Sequence, residues 1–73
     1  MNEEEIKRFI ESRGYQFLTI KHLRNGFRVR YQSRNFRYSQ TFRKPLNEFP
    51  SQNNGSELWL EFSKSFPKIK GDD

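Results

Sequence analysis

Two turn signals divide the middle of the chain into three strand-like segments. Tyr15–Leu23, Phe27–Gln32 and Phe36–Arg43 are rich in aromatic and β-branched residues that alternate with polar ones. Asn25-Gly26 separates the first two segments, and Arg34-Asn35 lies between the second and the third. Asn-Gly between two such segments is a strong hairpin signal and favours a type I′ turn. The pattern therefore predicts a three-stranded antiparallel sheet.

The same turns predict which residues share a face of this sheet, because cross-strand partners lie on one side. With Asn25-Gly26 as the first loop, Lys21 is expected opposite Arg30, and His22 opposite Val29. The face covered by helices is predicted to hold Leu18, Ile20, Phe27, Val29, Tyr31, Phe36, Tyr38 and Phe42. The exposed face is predicted to hold Phe17, Thr19, Lys21, Arg28, Arg30, Gln32, Arg37, Ser39, Thr41 and Arg43.

The segment before the strands is predicted to be a helix over residues 2–13. Asn2 is a favourable N-cap, and Glu5 stands three residues later, which is the spacing of a capping box. Gly14 is suited to the position that follows the last helical turn.

The segment after the strands begins with a predicted loop, Pro45–Gly55. A last helix is predicted from a Ser56 cap to about Phe66, although the alternation that begins at Leu58 also fits a strand. The 73 residues are thus predicted to form one α+β domain of order α-β-β-β-α, with its core in residues 2–66 and a tail at 67–73.

Charge is unevenly distributed along this chain of net charge +5. No Asp or Glu occurs from Ser12 to Asn47, and this stretch contains nine Arg and Lys residues, of which seven are Arg. Arg is favoured for contacts with phosphates and base edges, because its planar group forms two parallel hydrogen bonds. The composition therefore predicts a polyanionic partner.

Nucleic acid is the predicted partner, and duplex DNA is favoured because its major groove accepts a β-ribbon. Arg can bind guanine edges or phosphates, and Ser, Thr and Gln can do either. The residues predicted to bind are Lys21, Arg24, Arg28, Arg30, Gln32, Arg34, Arg37, Ser39, Thr41, Arg43 and Lys44.

The stretch Asn25–Arg43, NGFRVRYQSRNFRYSQTFR, resembles the three-stranded arm-type DNA-binding domain of phage integrases. The matching residues are Gly26, Phe27, Val29, Tyr31, Arg37, Tyr38, Thr41 and Phe42. The resemblance implies an origin in a phage or mobile element. It also implies that a DNA groove lies against Arg28, Arg30, Arg37, Ser39 and Thr41.

Two other functions stay open. The chain also fits a small phage-type protein that binds and modulates an acidic host protein. The predicted element order and Arg13-Gly14-Tyr15 also resemble HicA-like toxin ribonucleases, which carry a Gly-Ser-His-His-like motif. This chain has a single histidine, His22, which is predicted to lie on the helix side of the sheet. A non-enzymatic protein without catalytic residues is therefore expected.

The composition also narrows the compartment and the chemistry. Without cysteine there is no disulfide, no thiolate metal site and no cysteine nucleophile. No apolar run approaches the ~20 residues that span a bilayer, and the first residues are acidic rather than basic. A cytoplasmic protein with no cofactor, metal or membrane contact is expected, with its oligomeric state left open.

Overall fold

The computed structural model describes residues 1–51 and 55–67, and it confirms the predicted α+β order α-β-β-β-α. The predicted tail, apart from Pro67, lies outside the described residues. No helix in the described ranges is long and apolar enough to cross a membrane. The elements are α1 (Glu3–Ser12), β1 (Gln16–Leu23), β2 (Gly26–Ser33), β3 (Phe36–Phe42), a short 3-10 turn (Leu46–Glu48) and α2 (Glu57–Lys64).

Helix α1 begins with the predicted capping box. The Asn2 side-chain oxygen accepts from the Glu5 backbone N–H at 2.9 Å, and the Asn2 backbone N–H donates to the Glu5 carboxylate at 3.1 Å. These two bonds satisfy N–H groups that have no partner within the helix. At the other end the chain leaves the helix through Gly14, whose φ of 98° favours glycine.

Replacing Asn2 by alanine is expected to destabilise the protein by about 1 kcal/mol, because the cap acceptor is lost. In a domain of this size the melting temperature then falls by about 4–8 °C. Thermal unfolding followed by circular dichroism measures this change. Asn2→Ser keeps a capping oxygen and should melt close to the wild type; an equal fall for Asn2→Ser and Asn2→Ala would contradict the role of the cap.

The strands form one antiparallel sheet of order β1-β2-β3. The second hairpin has the predicted register, with Arg28 opposite Thr41 and Ser33 opposite Phe36. The predicted register of the first hairpin is wrong by two residues, since Lys21 pairs with Arg28 and its turn residues are Arg24-Asn25. A shift of two leaves the side chains from Thr19 to Leu23 on their predicted faces, because side chains alternate with period two.

The predicted type I′ turn is also wrong. Type I′ requires positive φ at both central residues, and in the described residues positive φ is found at Gly14 and Gly55. Gly26 is instead the first residue of β2, where it is buried beside the end of β3. A β-carbon at this position would overlap the carbonyl oxygen of Phe42 and lie 2.9 Å from its carbonyl carbon. Glycine is thus required here by the close approach of β3.

A bulge in β1 exchanges the predicted faces of two residues. Phe17 pairs with Tyr31 and Thr19 with Arg30, so that Leu18 is the extra residue between them. A bulge places two residues of one strand opposite one residue of the other. Phe17, predicted on the exposed face, therefore packs against the core, and Leu18, predicted on the helix side, borders a depression on the exposed side.

Helix α2 confirms the helical interpretation of the last segment. The Ser56 hydroxyl caps it by accepting from the Trp59 N–H at 3.1 Å. A strand would have placed Leu58, Leu60 and Phe62 on one side, but Leu60 is 47% exposed while Phe62 is fully buried. The helical period thus determines which side chains of this segment enter the core.

The core between the sheet and the helices is mainly aromatic. The Phe27 ring stacks on Phe42 at 5.0 Å, and Phe62 lies 5.5 Å from Phe42. Phe49, from the loop after β3, is buried against the same rings. Aromatic rings supply large buried areas at a low residue count, which is how so short a chain closes a core.

Tyr31 links the middle strand to the end of α2. Its hydroxyl lies 3.4 Å from the backbone oxygen of Ser65 and accepts from the Gln40 side chain at 3.3 Å. Burial raises the pKa of the Tyr31 phenol above its ordinary value of 10.0, which favours the neutral form that can donate. The Tyr38 ring stacks on Tyr31 at 5.3 Å.

One end of the sheet extends beyond the helices. Phe36 and Tyr38 lie on the helix side, as predicted, since they pair with Ser33 and Tyr31. They are nevertheless 65% and 40% exposed, so they are not enclosed in the core. The helix-side face of β3 is therefore apolar and partly uncovered near the second turn.

Candidate functional site on the open face of the sheet

The side of the sheet opposite the helices, termed the open face, presents three rows of side chains. The middle residue of each row comes from β2, and its neighbours come from β1 and β3. In sheets, directly opposed residues have β-carbons about 4.5–5.5 Å apart, so the members of a row are close enough to contact one ligand together. The rows are Lys21–Arg28–Thr41, Thr19–Arg30–Ser39 and Gln16–Gln32–Arg37.

The first row places two cations side by side. Lys21 and Arg28 are directly opposed, an arrangement that costs stability unless an anion lies near. The Arg28 Nε donates to the Thr41 hydroxyl at 3.1 Å, which holds the guanidinium of this half-buried side chain in one orientation. The terminal nitrogens of such a guanidinium are of the type that donates two parallel hydrogen bonds to an anion.

The other rows combine an Arg with neutral hydrogen-bonding groups. Arg30 is exposed between the hydroxyls of Thr19 and Ser39, which pair with it from either side. In the third row the Gln32 amide donates to the Gln16 side-chain oxygen at 2.7 Å, and Arg37 is exposed. Arg30 and Arg37 are diagonal neighbours and line one depression of about 400 Å³.

Further cations lie at both ends of the sheet. Arg24 belongs to the first turn, and Arg43 and Lys44 follow β3 directly, at the same end of the sheet. Arg24 and Arg43 line a second depression of about 480 Å³. Arg34 lies in the turn between β2 and β3, at the opposite end.

Within residues 1–51 and 55–67, the contacts between acids and basic side chains lie away from the open face. The strands and their turns contain no Asp or Glu. Arg8 forms an ion pair with Glu4 at 3.2 Å, and the His22 Nε2 lies 2.8 Å from the Glu3 carboxylate, so both contacts involve α1. Clustered cations of one sign produce a field that attracts polyanions and accelerates their association.

The structure brings most of the predicted binding residues together. Lys21, Arg28, Arg30, Gln32, Arg37, Ser39 and Thr41 share the open face, and Arg24, Arg34, Arg43 and Lys44 lie at its ends. Sequence reasoning missed Gln16 and Leu18. Gln16 stands at the first residue of β1, beyond the well-patterned part of the strand, and Leu18 reaches the open face through the bulge.

His22 lies apart from these rows. It pairs with Phe27 on the helix side of the sheet, and its Nε2 is hydrogen-bonded to the Glu3 carboxylate of α1. No group of three or more His, Asp or Glu that could hold a metal ion occurs within residues 1–51 and 55–67. The described chemistry of this site is thus hydrogen bonding and charge.

Comparisons with known proteins give no further information on this site. No family model matches the chain, and no curated protein or solved structure matches it either. The resemblance of Asn25–Arg43 to integrase arm-type domains stays a prediction from sequence. The geometry and charge of the open face are thus the features that bear on function.

Proposed function

We propose that this protein binds nucleic acid, with duplex DNA as the favoured form, through the open face of its sheet. The observation that carries the proposal is a set of three cross-strand rows, each with at least one cation, on strands without a single carboxylate. A surface meant only for solubility would intersperse both signs of charge.

The donors of the open face suit both the backbone and the bases of DNA. Guanidinium groups bind phosphates, or the O6 and N7 acceptors of guanine, with two parallel hydrogen bonds. Arg28, held by Thr41, loses less freedom on binding than a mobile side chain would. The hydroxyls of Ser39 and Thr19 beside Arg30 can bind either phosphate oxygens or base edges.

The length of the cationic surface fits several base pairs. An eight-residue strand such as β2 extends over about 25 Å at ~3.3 Å per residue. At an axial rise of about 3.4 Å per base pair this corresponds to roughly seven base pairs. Arg24 and Arg34, at opposite ends of β2, are placed to bind phosphates at the two limits of such a site.

The distribution of aromatic rings favours duplex over single-stranded nucleic acid. Proteins that bind single strands stack the bases on exposed aromatic side chains. No aromatic residue of β1, β2 or β3 belongs to the three rows of the open face, and the two exposed rings, Phe36 and Tyr38, pair on the helix side near the second turn. The wide major groove of B-form DNA also accepts a β-structure, whereas the major groove of duplex RNA is too narrow to be read.

We expect the protein to bind labelled duplex DNA with a strong dependence on salt. Contacts with four or five phosphates predict a slope of about −4 in log affinity against log salt, since each contributes about −0.9. Fluorescence anisotropy over a salt series, with single-stranded DNA and duplex RNA as comparisons, measures this slope. Absence of binding to all of them at about 50 mM salt would contradict the proposal.

An acidic protein surface is the second candidate partner. The exposed Phe36 and Tyr38 on β3, close to Arg34 and Arg37, are of the residue types that anchor protein interfaces. Such binding would depend on these rings rather than on the cations of the three rows. A pull-down with the immobilised protein is the measurement to make if the duplex does not bind.

A further inference from the structure

We infer that Leu18 reads the 5-methyl group of thymine next to a guanine bound by Arg30 or Arg37, so that the open face distinguishes DNA sequences. This inference depends on the proposed function, because it assigns a base contact within the same surface. The ligand proposed for this part of the open face is the major-groove edge of a DNA duplex that contains adjacent thymine and guanine.

The bulge gives Leu18 its position on the open face. Leu18, the extra residue of the bulge, lines a depression together with Thr19 and Arg30, which pair with each other on the open face. Leu18 is half-buried and lies outside the set of hydrophobic residues packed against the core. The bulge thus places an apolar side chain among the polar residues at the centre of the face.

The surroundings of Leu18 define the chemistry of the ligand. Arg30 and Arg37 border the same depression, together with Thr19, Ser39 and Tyr38. An apolar side chain such as Leu18 cannot form a hydrogen bond or an ion pair with a phosphate. The thymine methyl, in contrast, is an apolar group that is exposed in the major groove. Guanine presents two acceptors to Arg in the same groove. A leucine beside two arginines therefore suits a step with thymine and guanine.

Shape and spacing agree with this assignment. The thymine methyl projects from the groove floor, and Leu18 borders a concave part of the open face. Thr19, next to Leu18, pairs with Arg30, which places the two strands about 5 Å apart at this row. Adjacent base pairs are about 3.4 Å apart, so neighbouring bases lie within reach of Leu18 and an arginine at once.

The test compares two duplexes that differ only in the methyl group. One duplex has alternating thymine and guanine on one strand, and the other has uracil in place of every thymine. The wild-type protein should bind the thymine duplex about fourfold more tightly per methyl contact, since a buried methyl contributes about 0.8 kcal/mol. The salt slope should be equal for both duplexes, because the methyl carries no charge.

Two matched variants locate the contact. Leu18→Ser should remove the preference for thymine over uracil while binding to the uracil duplex stays unchanged, because serine has no methyl group to contact thymine. Leu60→Ser should retain the preference, because Leu60 is an exposed leucine of α2 and lies away from the open face. Retention of the preference in Leu18→Ser would overturn the assignment.

The comparison in the wild type separates the two proposals and needs no variant. Equal binding of both duplexes would overturn the role of Leu18 and leave the proposed function standing. Binding to neither duplex at about 50 mM salt would overturn both proposals. A thymine preference that is lost in Leu18→Ser and kept in Leu60→Ser would support both.

Discussion

Replacing Gly26 by alanine is expected to destabilise the protein by about 3 kcal/mol, the upper part of the range for an overpacked position. The new β-carbon would overlap the Phe42 carbonyl oxygen and approach the Arg43 Cα to 3.1 Å. Both obstacles are backbone atoms, so a side-chain rotation cannot relieve the contact. The end of β3 must move away from β2, which breaks the pairing of Phe27 with Phe42 at the edge of the core.

The loss is large for a chain of 73 residues, whose unfolding free energy is about 4–11 kcal/mol. The melting temperature should fall by about 12–24 °C. Asn25→Ala, at the exposed neighbouring turn position, should melt close to the wild type. Gly55→Ala, where φ is 80° but no atom of the other described residues lies within 4 Å of the added β-carbon, should cost only about 1 kcal/mol. A Gly26→Ala protein that melts within about 4 °C of the wild type would refute the steric argument.

The two hairpins show what turn signals can predict and where they fail. Arg34-Asn35 gives the register of the second hairpin correctly, with Ser33 opposite Phe36. Asn25-Gly26 has the composition of a type I′ turn. Glycine is needed at position 26, however, because any side chain there would overlap the backbone of β3 at Phe42. That requirement comes from the third strand, which local sequence at the first turn does not contain. The cations within the three strands nevertheless lie on the predicted side of the sheet, because a register shift of two residues does not change the side on which a side chain lies.

The bulge in β1 is the feature that sequence reasoning had no means to find. Phe17 and Leu18 are both apolar, so exchanging their faces leaves the hydrophobic pattern equally satisfactory. Only the packing of Phe17 against the core distinguishes the two arrangements. The side of the sheet on which Arg28 and Arg30 lie could be predicted, because these residues alternate with Phe27 and Val29, which are buried on the other side.

Replacing both Arg28 and Arg30 by alanine is expected to weaken duplex DNA binding about 30-fold or more at low salt, and to flatten the salt slope from about −4 to about −2. The two residues occupy the middle of adjacent rows on the central strand. Each guanidinium that leaves a phosphate removes about 0.9 from the slope, because the counterions it displaced return. The measurement is the anisotropy salt series applied to the variant.

The matched control removes the same charge from another side of the molecule. Lys7→Ala with Arg8→Ala takes two cations from exposed positions on α1, which packs on the opposite face of the sheet. If net charge alone attracted DNA, both double variants would weaken binding equally, and the open face would lose its assigned role. If the three rows hold the duplex, the α1 variant keeps the wild-type slope, because no phosphate contact has been removed. Near-identical circular dichroism spectra of both variants would assign the difference to contact with DNA rather than to folding.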